Sequence, residues 1–334
     1  PPASVVQPAP LTPISQPLPS KRKIPLLLMG MGVLAIMLAC GGCWFVAFRL
    51  RSFVLAPPAS AETPFSTPAV QEQAPAETPP SATAPSTGTP QAVEPALSEE
   101  IINKNVPMRL VPAGEFVMGN DEGEADARPA ASIFVDDFYI DKYEVTNEKY
   151  SACVAGGGCR QPMLPGSPKG APYYNDPKFA NYPVIYVTWN MARKYCEWRG
   201  ARLPTEAEWE KAARGAQDQR AYPWGDSFDC AYANHYGCVG DTAAVNQYDK
   251  GQSPYGVYGM SGNVWEWTSS LYSFYPYNAE DGRENLDASG MRVARGGSWT
   301  IFGGSGGSIR VDTRFKLDPS YYGAYVGIRC AMTP

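Results

Sequence analysis

Polar and apolar positions divide the chain into three regimes. From Ile24 to Phe48 an apolar stretch of 25 residues carries no charge. At 1.5 Å per residue a helix of that length extends about 37 Å, more than the roughly 30 Å of a bilayer's hydrocarbon core. Lys21, Arg22 and Lys23 precede it, and Arg49 and Arg51 follow it. The basic bias predicts a membrane helix with its N-terminal side in the cytoplasm. The competing reading is a cleaved secretory signal, with Leu38-Ala39-Cys40 before Gly41 as a faint lipoprotein-type box, but the run is long and starts late.

After Pro107 the pattern becomes that of a packed domain. Met108–Gly119 and Ile133–Ile140 read as strands punctuated by Gly and Pro. Thr146 reads as the N-cap of a helix running to about Val154. Thr188 is placed to cap a second helix, Trp189–Arg199, closed by Gly200. Thr205-Glu-Ala-Glu208 is a capping box, opening a third helix that Gly215 closes. Beyond Gly215 only short strands and long loops are expected. The fold class is α+β and loop-rich, with Trp, Tyr and Phe building much of the core.

Composition sharpens the boundaries. Of 33 prolines, seven fall in residues 1–20 and ten in residues 56–95. No Lys or Arg occurs from Ser52 to Asn103. Such Pro/Ala/Thr/Ser-rich sequence buries too little apolar surface to offset the cost of ordering it, and reads as an extended stalk open to O-glycosylation. Four segments are expected: 1–23, Pro-rich and cytoplasmic; 24–48, transmembrane; 49–106, extracellular stalk; 107–334, the folded domain. The chain starts at Pro1 rather than Met and is expected to be a fragment that continues on the cytoplasmic side; a transmembrane sensor would need an effector there, such as a protein kinase. A net charge of −5 gives no footprint for nucleic acid. A single histidine excludes any centre that needs two.

Six of the eight cysteines lie in the domain. Cys153 with Cys159, and Cys230 with Cys238, would close small loops, leaving Cys196 to pair with Cys330 over a long separation. Other connectivities are open on spacing alone. Zinc is the competing use, but the domain has no C-x-x-C pair. An even count beyond a membrane span suits disulfides in an oxidising compartment.

Six ordered blocks then carry a family resemblance. They are Phe138–Asn147, Arg202–Glu210, Tyr222-Pro-Trp-Gly225, Gly262-Asn-Val-Trp-Glu-Trp267, Arg295-Gly-Gly-Ser-Trp299 and Gly327-Ile-Arg-Cys330. Together they resemble the formylglycine-generating enzyme family, the sulfatase-modifying factor (SUMF1-type) domain, from about Pro107 to Met332. The resemblance implies an irregular α+β fold related to C-type lectins, with calcium sites. In the true enzymes it also implies copper-dependent oxidation of a cysteine to formylglycine by dioxygen. The copper-holding cysteines should be the third and eighth residues after Ser298. Here those positions are Ile301 and Gly306, neither of which ligates a soft metal. No catalytic residue is therefore assigned, and copper is not expected. Iron-dependent relatives need a histidine-rich partner domain and are set aside. The family's long-range disulfide falls at Cys196 and Cys330. A second family disulfide is replaced by Ala213 and Val311.

Calcium remains open. The resemblance implies one site from the carbonyls of Gly262 and Val264 with the Glu266 carboxylate, though Gly259 stands where the family has a side-chain oxygen. It implies part of another from Asn234, the carbonyl of His235 and Asp241. Hard oxygen donors suit Ca²⁺. Alternatively, Glu266 is a buried carboxylate held by an Arg or by backbone N–H groups, and His235 a satisfied loop residue. Asp121, Glu122, Glu124 and Asp126 lack EF-hand spacing, and Gly303–Ser308 lacks the Lys of a phosphate loop.

What is left to carry function is a surface. Trp299, Thr300, Phe302, Ser305, Ser308, Arg310, Asp312, Arg314, Tyr321, Tyr322 and Tyr325 are the candidate ligand-binding residues. Tyr, Ser, Gly and Arg make adaptable paratopes and interface anchors. The region resembles the retargeted face of retroelement-diversified variable proteins. The plainer alternative makes these aromatics core and these glycines slack loop. The sequence therefore leads to a single-pass plasma-membrane protein that displays a non-catalytic binding or sensing domain toward an extracellular protein or glycan. An envelope scaffold comes second and a formylglycine-generating oxidase last.

Overall fold

The computed structural model describes residues 97–170, 172–300 and 309–334. The expected cytoplasmic segment 1–23, the apolar segment 24–48, residues 49–96 of the expected stalk, and the candidate residues Ile301, Phe302, Ser305, Gly306 and Ser308 lie outside them. Among the described residues no helix is long and apolar enough to cross a membrane.

The domain begins earlier than position 107. Strand β1 (Glu100–Asn103) pairs antiparallel with β2 (Val106–Val111). Lys104 and Asn105 join them with φ of 45° and 64°. Two residues in the left-handed region are what a tight hairpin needs to follow the twist of its strands. β2 also pairs with β5 (Phe138–Asp141), and β5 with β10 (Ala331–Met332), so the first sheet runs β1-β2-β5-β10. The two long strand-like runs of the sequence each split in two. Pro112 and Ala113 separate β2 from β3 (Gly114–Met118), and Asp136 and Asp137 separate β4 (Ala131–Val135) from β5. β3 and β4 form their own two-stranded ribbon. The last sheet runs β8-β7-β6-β9, from β6 (Trp265–Leu271), β7 (Arg292–Arg295), β8 (Arg314–Leu317) and β9 (Val326–Gly327).

The three helices sit where their caps place them. α1 spans Asn147–Ala155 with the Thr146 hydroxyl accepting from the Lys149 N–H. α2 spans Trp189–Arg199, capped by Thr188 and closed by Gly200 at φ 76°. α3 spans Glu206–Arg214, and both halves of the Thr205–Glu208 capping box are formed. Every residue of α3 is buried, its charged ones included. A buried charge persists only when paired, and α3 is paired: Glu206 with Arg314 and Arg295, Glu210 with Arg214 and Arg295.

The main core packs α1 and α2 against β6, with Tyr150, Trp189, Tyr195, Trp265 and Trp267 filling it. A second cluster gathers around Trp209 and includes both Ala213 and Val311. Three disulfides staple the unit: Cys153–Cys159, Cys196–Cys330 and Cys230–Cys238. This is the pairing that the spacing suggested.

Candidate functional site

The Gly262–Trp267 block is the hub of a buried polar network. Asn263 takes a left-handed φ of 61°, a conformation asparagine tolerates better than most residues. Its backbone N–H donates to the Asn234 carbonyl at 2.7 Å. Its side-chain oxygen accepts from the Ala243 N–H at 2.8 Å, and its amide donates to Glu144 Oε1 at 2.9 Å. Asn234 donates in turn to the Asp241 carbonyl at 2.7 Å. One asparagine thus ties three distant loops to the start of β6.

Glu266, two residues into the strand, is wholly buried and already held. Arg329 reaches it bidentately at 2.8 and 2.6 Å, and the Trp209 indole donates to it at 2.6 Å. This is the arginine-held carboxylate of the alternative reading. Arg329 approaches Glu144 only to 4.0 Å. Burial pushes the Glu144 carboxyl up to about 7, against the pull of Arg329.

The two implied ligand sets lie near one another but differ in what already holds them. Asn234, Asp241 and Gly262 cluster about Asn263, whereas Glu266 is spoken for by Arg329 and Trp209. The Asp241 carboxylate accepts from the Thr242 N–H, and the His235 carbonyl accepts from the Cys238 N–H at 2.9 Å. The His235 ring stands edge-on to Phe228, and Val264 is buried among Tyr173 and Ile185. Among the described residues no group of three or more His, Cys, Asp and Glu is placed around a metal. The residues implied around Glu266 therefore fit calcium poorly, because that carboxylate is neutralised by an arginine. Unclaimed oxygens lie elsewhere. Glu144 Oε2, Asn234 Oδ1 and Ser261 Oγ are buried without a hydrogen-bond partner among the described residues.

The candidate ligand face also divides. Asp312 and Arg314 are only 2% and 3% exposed, so they belong to the interior and not to the expected face. Asp312 is gripped by Arg310 and Asn120. Arg314 pairs with Glu206 and lies over the rings of Tyr272 and Tyr275. Thr300 is buried, and the Trp299 indole donates to the Ala324 carbonyl at 3.3 Å. The hydroxyls of Tyr321 and Tyr325 bond to each other, and both rings pack against the main core. Among the described candidates Tyr322 is the exposed one, at 42%. It opens onto a cleft of about 1060 Å³ between the loop after α1, the start of α2 and the Asp318–Ser320 turn. Met163, Met191 and Met291 line the same cleft, with Arg160 and Lys194. Scattered methionines carry no periodic signal, so nothing in the sequence marked this wall.

Comparison with known proteins agrees with this architecture. The family model described as "Sulfatase-modifying factor enzyme 1-like domain" matches residues 94–334. The chain belongs to this family. It is 31% identical over 287 residues to a formylglycine-generating enzyme of Thermomonospora curvata, covering 68% of this chain and 93% of that protein. It is 33% identical over 279 residues to the inactive C-alpha-formylglycine-generating enzyme 2 of Bos taurus, covering 68% and 88%. It is also 34% identical over 247 residues to the serine/threonine-protein kinase pkn1 of Chlamydia caviae, covering 67% of this chain but 37% of the kinase. The chain thus spans little more than a third of that relative's length. Among solved structures, PvdO from Pseudomonas aeruginosa superposes with a TM-score of 0.57 at 25% identity, covering 73% of this chain and all of PvdO. Variable protein 1 of Treponema denticola gives 0.56 at 21% identity, covering 70% and 98%, and shares the fold. In this family member all six cysteines among the described residues are consumed in disulfides.

Proposed function

We propose that this family member is a non-catalytic, membrane-anchored binding module. The observation that carries the reading is the absence of a usable thiol where the enzymes keep their cysteine pair. Ile301 and Gly306 occupy those positions, and the six cysteines of the domain are bonded to one another. Soft-metal chemistry needs thiolate ligands, and aliphatic or hydrogen side chains supply none. An inactive relative of comparable similarity gives precedent for a family member without the enzyme's activity.

The cleft beside Tyr322 is the binding face in this reading. An exposed aromatic with flexible methionines and flanking cations suits a protein or glycan surface. The apolar segment 24–48 anchors the module, with the stalk holding it away from the bilayer. A kinase relative carries a matching domain, which fits a cytoplasmic effector upstream of Pro1.

Two measurements test the reading. Incubating the copper-supplied protein with a cysteine-containing sulfatase peptide should leave the peptide mass unchanged; conversion to formylglycine sinks the non-catalytic reading. Immobilised protein is then exposed to envelope extract and glycan arrays beside a Tyr322→Ala, Met163→Asp double variant. A ligand held by the parent and released by the variant supports a binding module at this cleft. Equal retention by both removes the cleft from the proposal.

A further inference from the structure

We infer that the domain binds a second copy of itself head to tail, seating the loop closed by Cys230–Cys238 in the cleft beside Tyr322. The inference rests on the reading of that cleft as a binding face and names its occupant.

The loop is a braced apolar knob. Phe228, Tyr236 and Val239 are 39%, 57% and 48% exposed. Single exposed apolar side chains are ordinary, but several gathered on one loop mark a contact surface. The disulfide ties the two sides of the loop together. The Phe228 ring packs against Tyr222 and stands edge-on to His235. Side chains fixed in advance lose less freedom on association, which lowers its cost.

The cleft supplies the matching wall. Its volume of about 1060 Å³ stands at the top of the range for small-molecule pockets, roughly 300–1,000 Å³, and suits a protein loop. Met163 and Met291 line it at 48% and 39% exposure. Unbranched thioethers adapt to the shape of an inserted ring and make favourable contacts with its edge.

Charge matches the two faces. Residues 221–249 contain no Lys or Arg, and Asp226 and Asp229 are exposed on either side of Phe228. The cleft carries Arg160 and Lys194. Lys194 contacts Glu197 at 2.8 Å, yet its side chain is 68% exposed. The carboxylate that lines the cleft, Asp318, accepts from the Ser320 N–H and hydroxyl. An acidic apolar knob and a cationic apolar cleft on one chain complement each other, and neither complements itself. The contact therefore joins unlike patches and passes from copy to copy into rings or chains, instead of closing as a two-fold dimer.

Sedimentation velocity of the full chain in detergent tests this. With protein raised to about 100 μM, well above a micromolar Kd, species larger than the monomer should appear and recede with added salt. A loop variant, Tyr236→Ala with Val239→Ser, and a cleft variant, Tyr322→Ala with Met163→Asp, should each weaken association at least about tenfold. All four side chains are exposed or half-buried, so both variants should fold. Mixed together, the variants should pair one to one and grow no further. The loop variant keeps an intact cleft, and the cleft variant keeps an intact loop. A parent that stays monomeric overturns the inference. Association that either variant leaves unchanged, or a mixture that fails to pair, overturns it equally. Envelope-ligand capture is read separately: a cleft that still holds such a ligand stands as a binding face even when self-association fails.

Discussion

Arg314 of β8 lays its guanidinium along the Glu206 carboxylate at the first turn of α3, with contacts of 2.6 and 2.9 Å. The two residues are 108 positions apart, and neither side chain is exposed. This pair, with Arg295 beside it, lets a helix bristling with charge sit in the interior.

The pair makes stability depend on acid. Burial alone would raise the Glu206 pKa, but Arg314 and Arg295, helped by Arg283, hold it below the usual 4.5. Tyr275 also faces the carboxylate, and Ser270 caps the Glu206 N–H. A depressed pKa in the folded state contributes stability that is complete above the unfolded value and drains away as pH falls through the folded one. Urea unfolding followed from pH 7 to pH 3 should show that loss setting in below about 4.5. Glu206→Gln should cost about 3–5 kcal/mol at neutral pH, because it strands Arg314, and should flatten the acid limb.

The Cys196–Cys330 bond should matter more than its neighbours. It joins residues 134 positions apart, whereas Cys153–Cys159 spans six. By loop-closure entropy the long bridge is worth about 5 kcal/mol and the short one about 2 kcal/mol. Double Ala replacements of each pair, compared by thermal denaturation, should fall in that order.

Gly259 and Gly200 offer a controlled contrast. Both have left-handed φ, 71° and 76°, but an added Cβ at Gly200 meets nothing within 4 Å. Gly200→Ala should cost about 1–2 kcal/mol from backbone strain alone. Gly259→Ala drives a methyl into the Glu144 carboxylate and should cost clearly more by chemical denaturation. Equal costs would mean that Glu144 moves aside freely.

Tyr322→Ala should leave stability within about 0.5 kcal/mol of the parent, since surface changes away from packed features do little. Its effect should appear in ligand capture and not in the melting curve. A large stability loss would make Tyr322 a packing residue and not a contact residue.

Local signals were the legible part of this fold. Thr146, Thr188 and Thr205 marked three helix starts because capping is chemistry within four residues. Gly200 and Gly215 marked two ends for the same reason. The disulfides were legible because two close pairs left Cys196 and Cys330, where the family resemblance also implies a long-range bridge. Asp312 and Arg314 were misplaced on a surface because a charged residue's burial depends on a partner far along the chain. For Arg314 that partner is Glu206, and for Asp312 it includes Asn120. β1 went unread because Glu100–Asn103 continues a charge-bearing stalk boundary, and the Lys104-Asn105 turn lacks the glycine that usually announces a hairpin. Glu144 was not singled out, because only the folded chain places it against Gly259.

The first sheet has a mechanical consequence. Its two edges are β1, where the chain enters, and β10, where it leaves. In the proposed anchored arrangement, tension from the residues before Glu100 would load β1, a strand of four residues held by one neighbour. The opposite edge is riveted, since Cys330 adjoins β10 and is bonded to α2. Under a pull, the domain would peel from its N-terminal hem while the seam at the other end stays closed.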